Sequence, residues 1–315
     1  MPARQTRRRV LQIVAATAAC AIVPGGAAQS FEWRGAALGA DVSILFSGAA
    51  ESAARVTVAR IVNEIERLEA IFSLQRDDSE LSRLNAAEGL SAPSPDLVHV
   101  LAIARRAHAL TKGRFDPSVQ PLWRYYVAWY DADRARGHPP ADGLAAVRAR
   151  VGLQRVSATA DGIWLPPGGG LTLNGIAQGY ITDRACDLLR AAGFANVLVD
   201  LGETRALDAR ADGGAWRVGL PDESVVSISG GAIATSAGAA TAFADNGDHH
   251  IFDPVTGRPA RAWRWLSVAH PLAVMADALS TGLYCLAPQE ALRAVAAIAG
   301  ARLWGRDMAD SAIQS

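Results

Sequence analysis

The sequence is poor in the residues that usually announce a chemistry. Only three cysteines occur in 315 residues, too few and too scattered for a disulfide framework or a thiolate zinc centre. No HExxH pair and no Cys/His cluster is present, so zinc-dependent hydrolysis has no ligands to use. No GxSxG elbow occurs, which removes the esterase style of serine catalysis, and no GK[ST], which removes the P-loop. Charge of either sign is not in excess, with 31 basic and 31 acidic residues. Residues 1–28 hold four arginines and no acid, so the remainder is mildly acidic, and no basic patch with interleaved aromatics appears. That excludes nucleic acid as a partner. There is no internal repeat or low-complexity tract, and beyond residue 28 no apolar run long enough to span a bilayer.

What is present begins with a targeting pattern. Arg7, Arg8 and Arg9 precede an apolar run from Val10 to Val23, followed by the small residues Gly25 to Ala28. This is the layout of an export signal over 1–28, and TRRRVLQ fits its twin-arginine form. It directs residues 29–315 to the periplasm as one domain. TAAC ending at Cys20 has some likeness to a lipoprotein box, with Thr17 where leucine is expected, so a membrane anchor at Cys20 is the competing outcome. Cys186 and Cys285 lie far apart in helical patterns and read as buried free thiols.

Alternation from Phe31 to Phe46 predicts a hairpin turning at Gly39. Val58, Ile61, Ile65, Leu68 and Phe72 predict an amphipathic helix over 54–72. A helix opens at Ser94 with Pro95 in its first turn and runs to Leu110. Residues 130–141 read as a surface loop, and Asp142 as the cap of a short helix ending before Gly152. Short strands are expected near Val156 and Trp164, and a strand passes through Asn174-Gly175 into a helix ending at Gly193. Further strands fit 196–202, 203–209, 215–220, 225–228 and 231–236, then helices at 272–287 and 289–299. Strands and helices mix without a βαβ rhythm, which predicts an α+β fold with largely antiparallel sheets.

Three stretches carry candidate chemistry. In MADALST (275–281), Asp277 and Thr281 share a helix face one turn apart, offering two hard oxygens to Mg²⁺ or Ca²⁺ rather than zinc. Spacing alone also fits a solvated face, but the apolar neighbours Ala276, Ala278 and Leu279 make an unpaired carboxylate costly there. In HHIFDPVTG (249–257), a strand would turn His249 and His250 to opposite faces, so one of them at most serves a site. That histidine is either a general base or a residue satisfied in a turn. In LNGIAQGYITDR (173–184), Gly175 and Gly179 flank a helix start that suits phosphate or simple close packing, and the pattern is not a dinucleotide fingerprint. GRFDPSVQPLW (113–123) and DLGETRAL (200–207) are turn-rich segments able to line a cleft.

Together and in order, SELSRLN (79–85), FDPSVQPL (115–122), GIAQGY (175–180), NVLVDLGE (196–203), IATS (233–236), HIFDPVTG (250–257) and ADALST (276–281) resemble the ApbE-like family of FAD:protein FMN transferases. The resemblance covers about residues 33 to 300. It implies a two-lobed, T-fold-like α+β architecture with FAD in the cleft between the lobes. It implies a Mg²⁺ site from Asp277, Thr281 and the Ala177 carbonyl, and a catalytic role for His250. It implies flavin-nucleotide contacts at Gln75, Phe115, Asp116, Gly175, Gln178, Asp200, Gly202, Asp253 and Thr256. The reaction it implies moves FMN from FAD to a threonine or serine hydroxyl of a partner flavoprotein and releases AMP. Departures are Gln75 where an aromatic is usual, Thr172 and Gln178 where Asp and Lys are usual, and one glycine rather than two after Asp200. LGETRAL and the twin-arginine signal resemble the branch associated with nitrous oxide reductase maturation, whose acceptor is a membrane flavoprotein regulator. The competing functions are a periplasmic FAD pyrophosphatase, with water as the attacker, and a non-catalytic FAD carrier.

Overall fold

The structure is a computed structural model and describes residues 30–37, 40–132 and 137–315. The export segment with Cys20, and the expected turn at Gly39, lie outside the described residues. Strands β1 (Ser30–Ala37) and β2 (Ala40–Ser47) form the expected hairpin, with Phe31 opposite Phe46. Helix α1 (Glu51–Phe72) buries Ala54, Val58, Ile61, Ile65, Leu68 and Phe72. Fully burying such aliphatic side chains contributes about 1.5–3 kcal/mol each. Helix α2 (Glu80–Ala87) is absent from the sequence reading. It starts because Ser79 accepts the Ser82 N–H at 3.0 Å, a cap on a helix too short to show a periodic stripe. Strand β3 (Gly89–Ser91) follows, then α3 (Pro95–Leu110), capped by Ser94 as expected.

Helix α4 (Gln120–Ala132) takes in the end of the turn-rich 113–123 and the first residues of the loop expected over 130–141. Pro121 sits in its first turn, where a missing N–H costs nothing, and Leu122, Tyr126 and Tyr130 are buried at four-residue spacing. Helix α5 (Ala141–Arg148) starts at Pro140 with no side-chain cap, so Asp142 lies in the first turn instead of capping it. Strands β4 (Ser157–Ala158) and β5 (Gly162–Trp164) complete a three-stranded sheet with β3. Residues 171–173 are not a strand. The Asn85 side chain takes the ladder's place, donating to the Leu171 carbonyl at 2.8 Å and accepting its N–H at 2.7 Å.

The remaining elements are α6 (Ala177–Ala191), β6 (Val197–Asp200), β7 (Thr204–Ala206), β8 (Trp216–Gly219), β9 (Val225–Ile228), β10 (Gly231–Ser236), β11 (Trp263–His270), α7 (Ala273–Tyr284), α8 (Pro288–Ala296), β12 (Arg302–Asp307) and β13 (Ala312–Gln314). The last three strands lie outside the sequence reading; of these, β11 is buried on both faces over most of its length and shows no alternation. Eight strands pair antiparallel in the order β1-β2-β6-β7-β10-β11-β12-β13. Alternation along β10 decides what covers each face. Ile233 packs with Val218, Leu220 and Trp265 on the side of the β8–β9 hairpin. Ala232 and Ala234 meet Ala273 and Ala276 of α7, an all-alanine seam that lets this helix lie close to the sheet. A smaller core, built on Leu122, Tyr126, Tyr130, Leu144, Phe243 and Phe252, stands apart from the main one. Helices and antiparallel sheets together make the α+β fold that the sequence predicts.

Candidate active site

A cleft of about 480 Å³ opens between the cores. Phe72, Phe115 and Ile251 reach it from the larger core, and Trp123 and Phe252 from the side of the smaller one. Of the residues expected from sequence, Gln75, Phe115, Asp116, Gly175, Ala177, Gln178, His250, Asp277 and Thr281 line it. They come from five separate stretches of chain, brought together by the sheet and the two helices α6 and α7.

Asp277 and Thr281 lie on α7, which is buried on every side except at Thr281. Asp277 is 4% exposed. The Gly179 N–H, at 3.1 Å, is its one hydrogen-bond donor among the described residues. Burial, with no cation beside it, pushes its carboxyl up to about 7. Glu203, between β6 and β7, is buried in the same wall. Burial, and then the charges of Asp277 and Asp200, raise it well above the ordinary carboxylate range. Sequence reasoning missed Glu203, since a single acid between two strand-like runs reads as a turn residue. Thr281 Oγ1 stands 3.4 Å from Ser236 Oγ, and the backbone at Gly175 is so close that an added Cβ would lie 2.7 Å from Oγ1. Ala177, the first residue of α6, lines the same corner. Among the described residues no group of three His, Cys, Asp or Glu side chains gathers at one point. The corner instead offers the carboxylate of Asp277 and the hydroxyl of Thr281, beside the second carboxylate of Glu203. An uncompensated buried charge with hard oxygens around it fits Mg²⁺.

The two histidines divide cleanly, although 249–252 forms isolated bridges rather than a strand. His249 donates from Nε2 to the Ala260 carbonyl at 2.7 Å and accepts the Ile251 N–H at Nδ1. Both its nitrogens are therefore used in holding the turn. His250 donates from Nδ1 to the Thr241 carbonyl at 3.3 Å, which leaves Nε2 unprotonated and the ring on the cleft. Burial first, and then His249, lower its pKa to about 4, so the ring is neutral at pH 7.

Four expected contact residues do not line the cleft. Asp253 is turned to Arg114, its Oδ1 2.5 Å from the guanidinium, and accepts the Val255 N–H and the Thr256 hydroxyl. The residue it presents to the cleft is Arg114. Exposed Thr256 only closes that turn. Asp200 accepts the Gly202 N–H at 3.3 Å. Gly202 has φ +100° and gives room to its neighbour, because a Cβ there would sit 2.4 Å from Gln178 Nε2. That amide nitrogen is buried and, among the described residues, without a hydrogen-bond partner. Asp116 does line the cleft, yet its oxygens are held by the Ser118 hydroxyl and N–H and by the Leu153 N–H. These bonds tie Asp116 to the loop that follows it and to the start of residues 153–155.

The chain is 27% identical over 272 residues to an FAD:protein FMN transferase of Haemophilus influenzae, covering 80% of this chain and 78% of that one. It is 32% identical over 248 residues to the enzyme of the same description from Vibrio cholerae, covering 72% of each. Among solved structures it superposes on the flavin transferase ApbE of Vibrio cholerae with a TM-score of 0.76 at 25% identity, over 92% of this chain and 97% of that one. On an ApbE protein of Thermotoga maritima the TM-score is 0.80 at 25% identity, over 91% and 97%. The ApbE family model matches residues 38–302. With the family's sequence pattern running through nearly the whole described chain, and its fold around the cleft, this protein belongs to the ApbE family.

Proposed function

We propose that this chain works as its relatives do, as an FAD:protein FMN transferase, and that it does so with Mg²⁺ at Asp277, Thr281 and the Ala177 carbonyl. The observation that carries the reading is the buried, uncompensated Asp277 in the same cleft as the free Nε2 of His250. When bound, the cation neutralises the pyrophosphate charge of FAD. The cleft volume suits a large ligand, with Phe72, Phe115, Trp123 and Phe252 as faces for flat rings. Gln178 Nε2 has a hydrogen bond to give, and Arg114 a positive charge at the cleft wall.

His250 takes the proton from a threonine or serine hydroxyl of the acceptor flavoprotein. The hydroxyl oxygen bonds to the FMN-side phosphorus, the bond to the bridging oxygen breaks, and AMP leaves with that oxygen. Such general-base help is worth about 10²–10⁴-fold. The basic-then-apolar segment 1–28 supports a periplasmic site of action, and LGETRAL supports a membrane flavoprotein of nitrous oxide respiration as acceptor. The test is to incubate protein, FAD, Mg²⁺ and a threonine-bearing acceptor while following AMP, free FMN and protein-bound flavin. A ratio of AMP to bound flavin near one is expected. FMN released at a steady rate whatever the acceptor concentration would instead establish an FAD pyrophosphatase, and binding without AMP a carrier.

A further inference from the structure

Asp183 lies on α6, buried, and takes no part in the cleft lining. Its Oδ1 accepts the Ala273 N–H at 2.9 Å and its Oδ2 the Val274 N–H at 3.0 Å. These are the first two residues of α7, whose own cap position, Leu272, has no side-chain acceptor. In return Asp277 of α7 accepts the Gly179 N–H in the first turn of α6, whose cap position, Ile176, is also without one. Each helix thus supplies the acceptor that the start of the other lacks. The contact is close enough to exclude a side chain at Gly179, where a Cβ would lie 2.4 Å from the Ala273 carbonyl oxygen. Arg205 of β7 pairs with the same Asp183 carboxylate and offsets its buried charge.

We infer that Asp183, held by Arg205, is the positioning residue of the cation site: it sets the start of α7 against α6, and so places Asp277 and Thr281 opposite Ala177. This rests on the metal reading above. Asp277 stands four residues, about one turn, beyond the N–H of Ala273 that Asp183 fixes. Any slide of α7 along α6 therefore moves the carboxylate and hydroxyl together, relative to the carbonyl on the other helix. Groups that orient ligands in this way typically govern metal affinity by about 10–100-fold when removed.

The experiment uses the purified protein and Mn²⁺ as the probe, counting free Mn²⁺ by its electron paramagnetic resonance signal without FAD. Asp183→Asn keeps the side-chain size but offers a donor where an acceptor is needed. The expected result is a dissociation constant for Mn²⁺ raised about tenfold or more, with the Mg²⁺ needed for half-maximal transfer rising in parallel. At saturating Mg²⁺ the transfer rate should return to within about threefold of the parent, because the reacting groups are unchanged. A residue that only stabilised the fold would lower the melting temperature and leave the Mn²⁺ affinity of the folded protein as it was. That result overturns the inference. Should Asp183→Asn not fold, Asp183→Glu carries the same test, since it keeps the charge for Arg205 and displaces the cap by one methylene. A parent protein that binds no Mn²⁺ overturns the metal reading itself. A parent that binds it, beside a variant that binds it equally well, overturns only the role of Asp183.

Discussion

Gly202 and Gln178 face each other so closely that a Cβ on the glycine would stand 2.4 Å from the side-chain amide nitrogen. The glycine also holds φ +100°, a region that L residues avoid. Gly202→Ala should therefore cost about 1–3 kcal/mol of stability and weaken FAD binding by pushing Gln178 out of place. Adding Gln178→Ala removes the collision and leaves only the backbone strain. Urea melts and FAD titrations of the single and double variants check this, and equal losses in both would show that Gln178 is not what Gly202 accommodates.

Asp277→Asn separates function from stability. The amide oxygen still accepts the Gly179 N–H, while the buried charge disappears. Without metal, at pH 8, the variant should melt no lower than the parent. Transfer should be lost, because a neutral oxygen cannot hold a divalent cation against water. Thr281→Ala should cost less, since it removes a neutral ligand. Thermal melts with and without Mg²⁺ decide the point, and near-normal turnover by Asp277→Asn would contradict the assignment.

His250→Ala should slow flavin attachment by about 10²-fold or more and leave Mn²⁺ binding intact. With a pKa of about 4 against an ordinary 6.5, His250 stays neutral well below pH 6. At Mg²⁺ high enough to keep Asp277 ionised, the acid limb of kcat/KM should then fall near pH 4 rather than near 6.5. The same depression has a stability sign. An unfolded chain takes up the proton once pH drops below 6.5, but the folded one only near 4. Stability from this group is complete above 6.5 and is lost as pH falls through that window. His249→Ala should cost stability more than turnover, because both its nitrogens hold the 249–260 turn.

Replacing Arg7 and Arg8 with lysine should hold the precursor in the cytoplasm if the twin-arginine reading is right. The measurement is the yield of processed protein in the periplasm, with residues 1–28 removed. Unchanged yield would refute it.

The sequence by itself determined what depends on neighbours along the chain. The stripe of α1, the Ser94 cap of α3, the β1–β2 hairpin and the one-turn spacing of Asp277 and Thr281 are local periodicities and local hydrogen bonds. The family pattern over residues 38–302 is also a property of the linear order. Tertiary structure decided whatever needed a partner far away. Leu171 loses its strand to the side chain of Asn85, 86 residues earlier, and α4 gains its length by burying Tyr126 and Tyr130 against Phe243 and Phe252. Glu203 becomes part of the site only because β10 and α7 fold over the turn that carries it, stripping the water that would otherwise leave it an ordinary surface acid. Asp253 moves the other way, since Arg114, distant in sequence, pairs with its carboxylate and itself lines the cleft. The charge of a side chain is written in the chain; whether that charge is hydrated, paired or left for a cation is fixed by what packs around it.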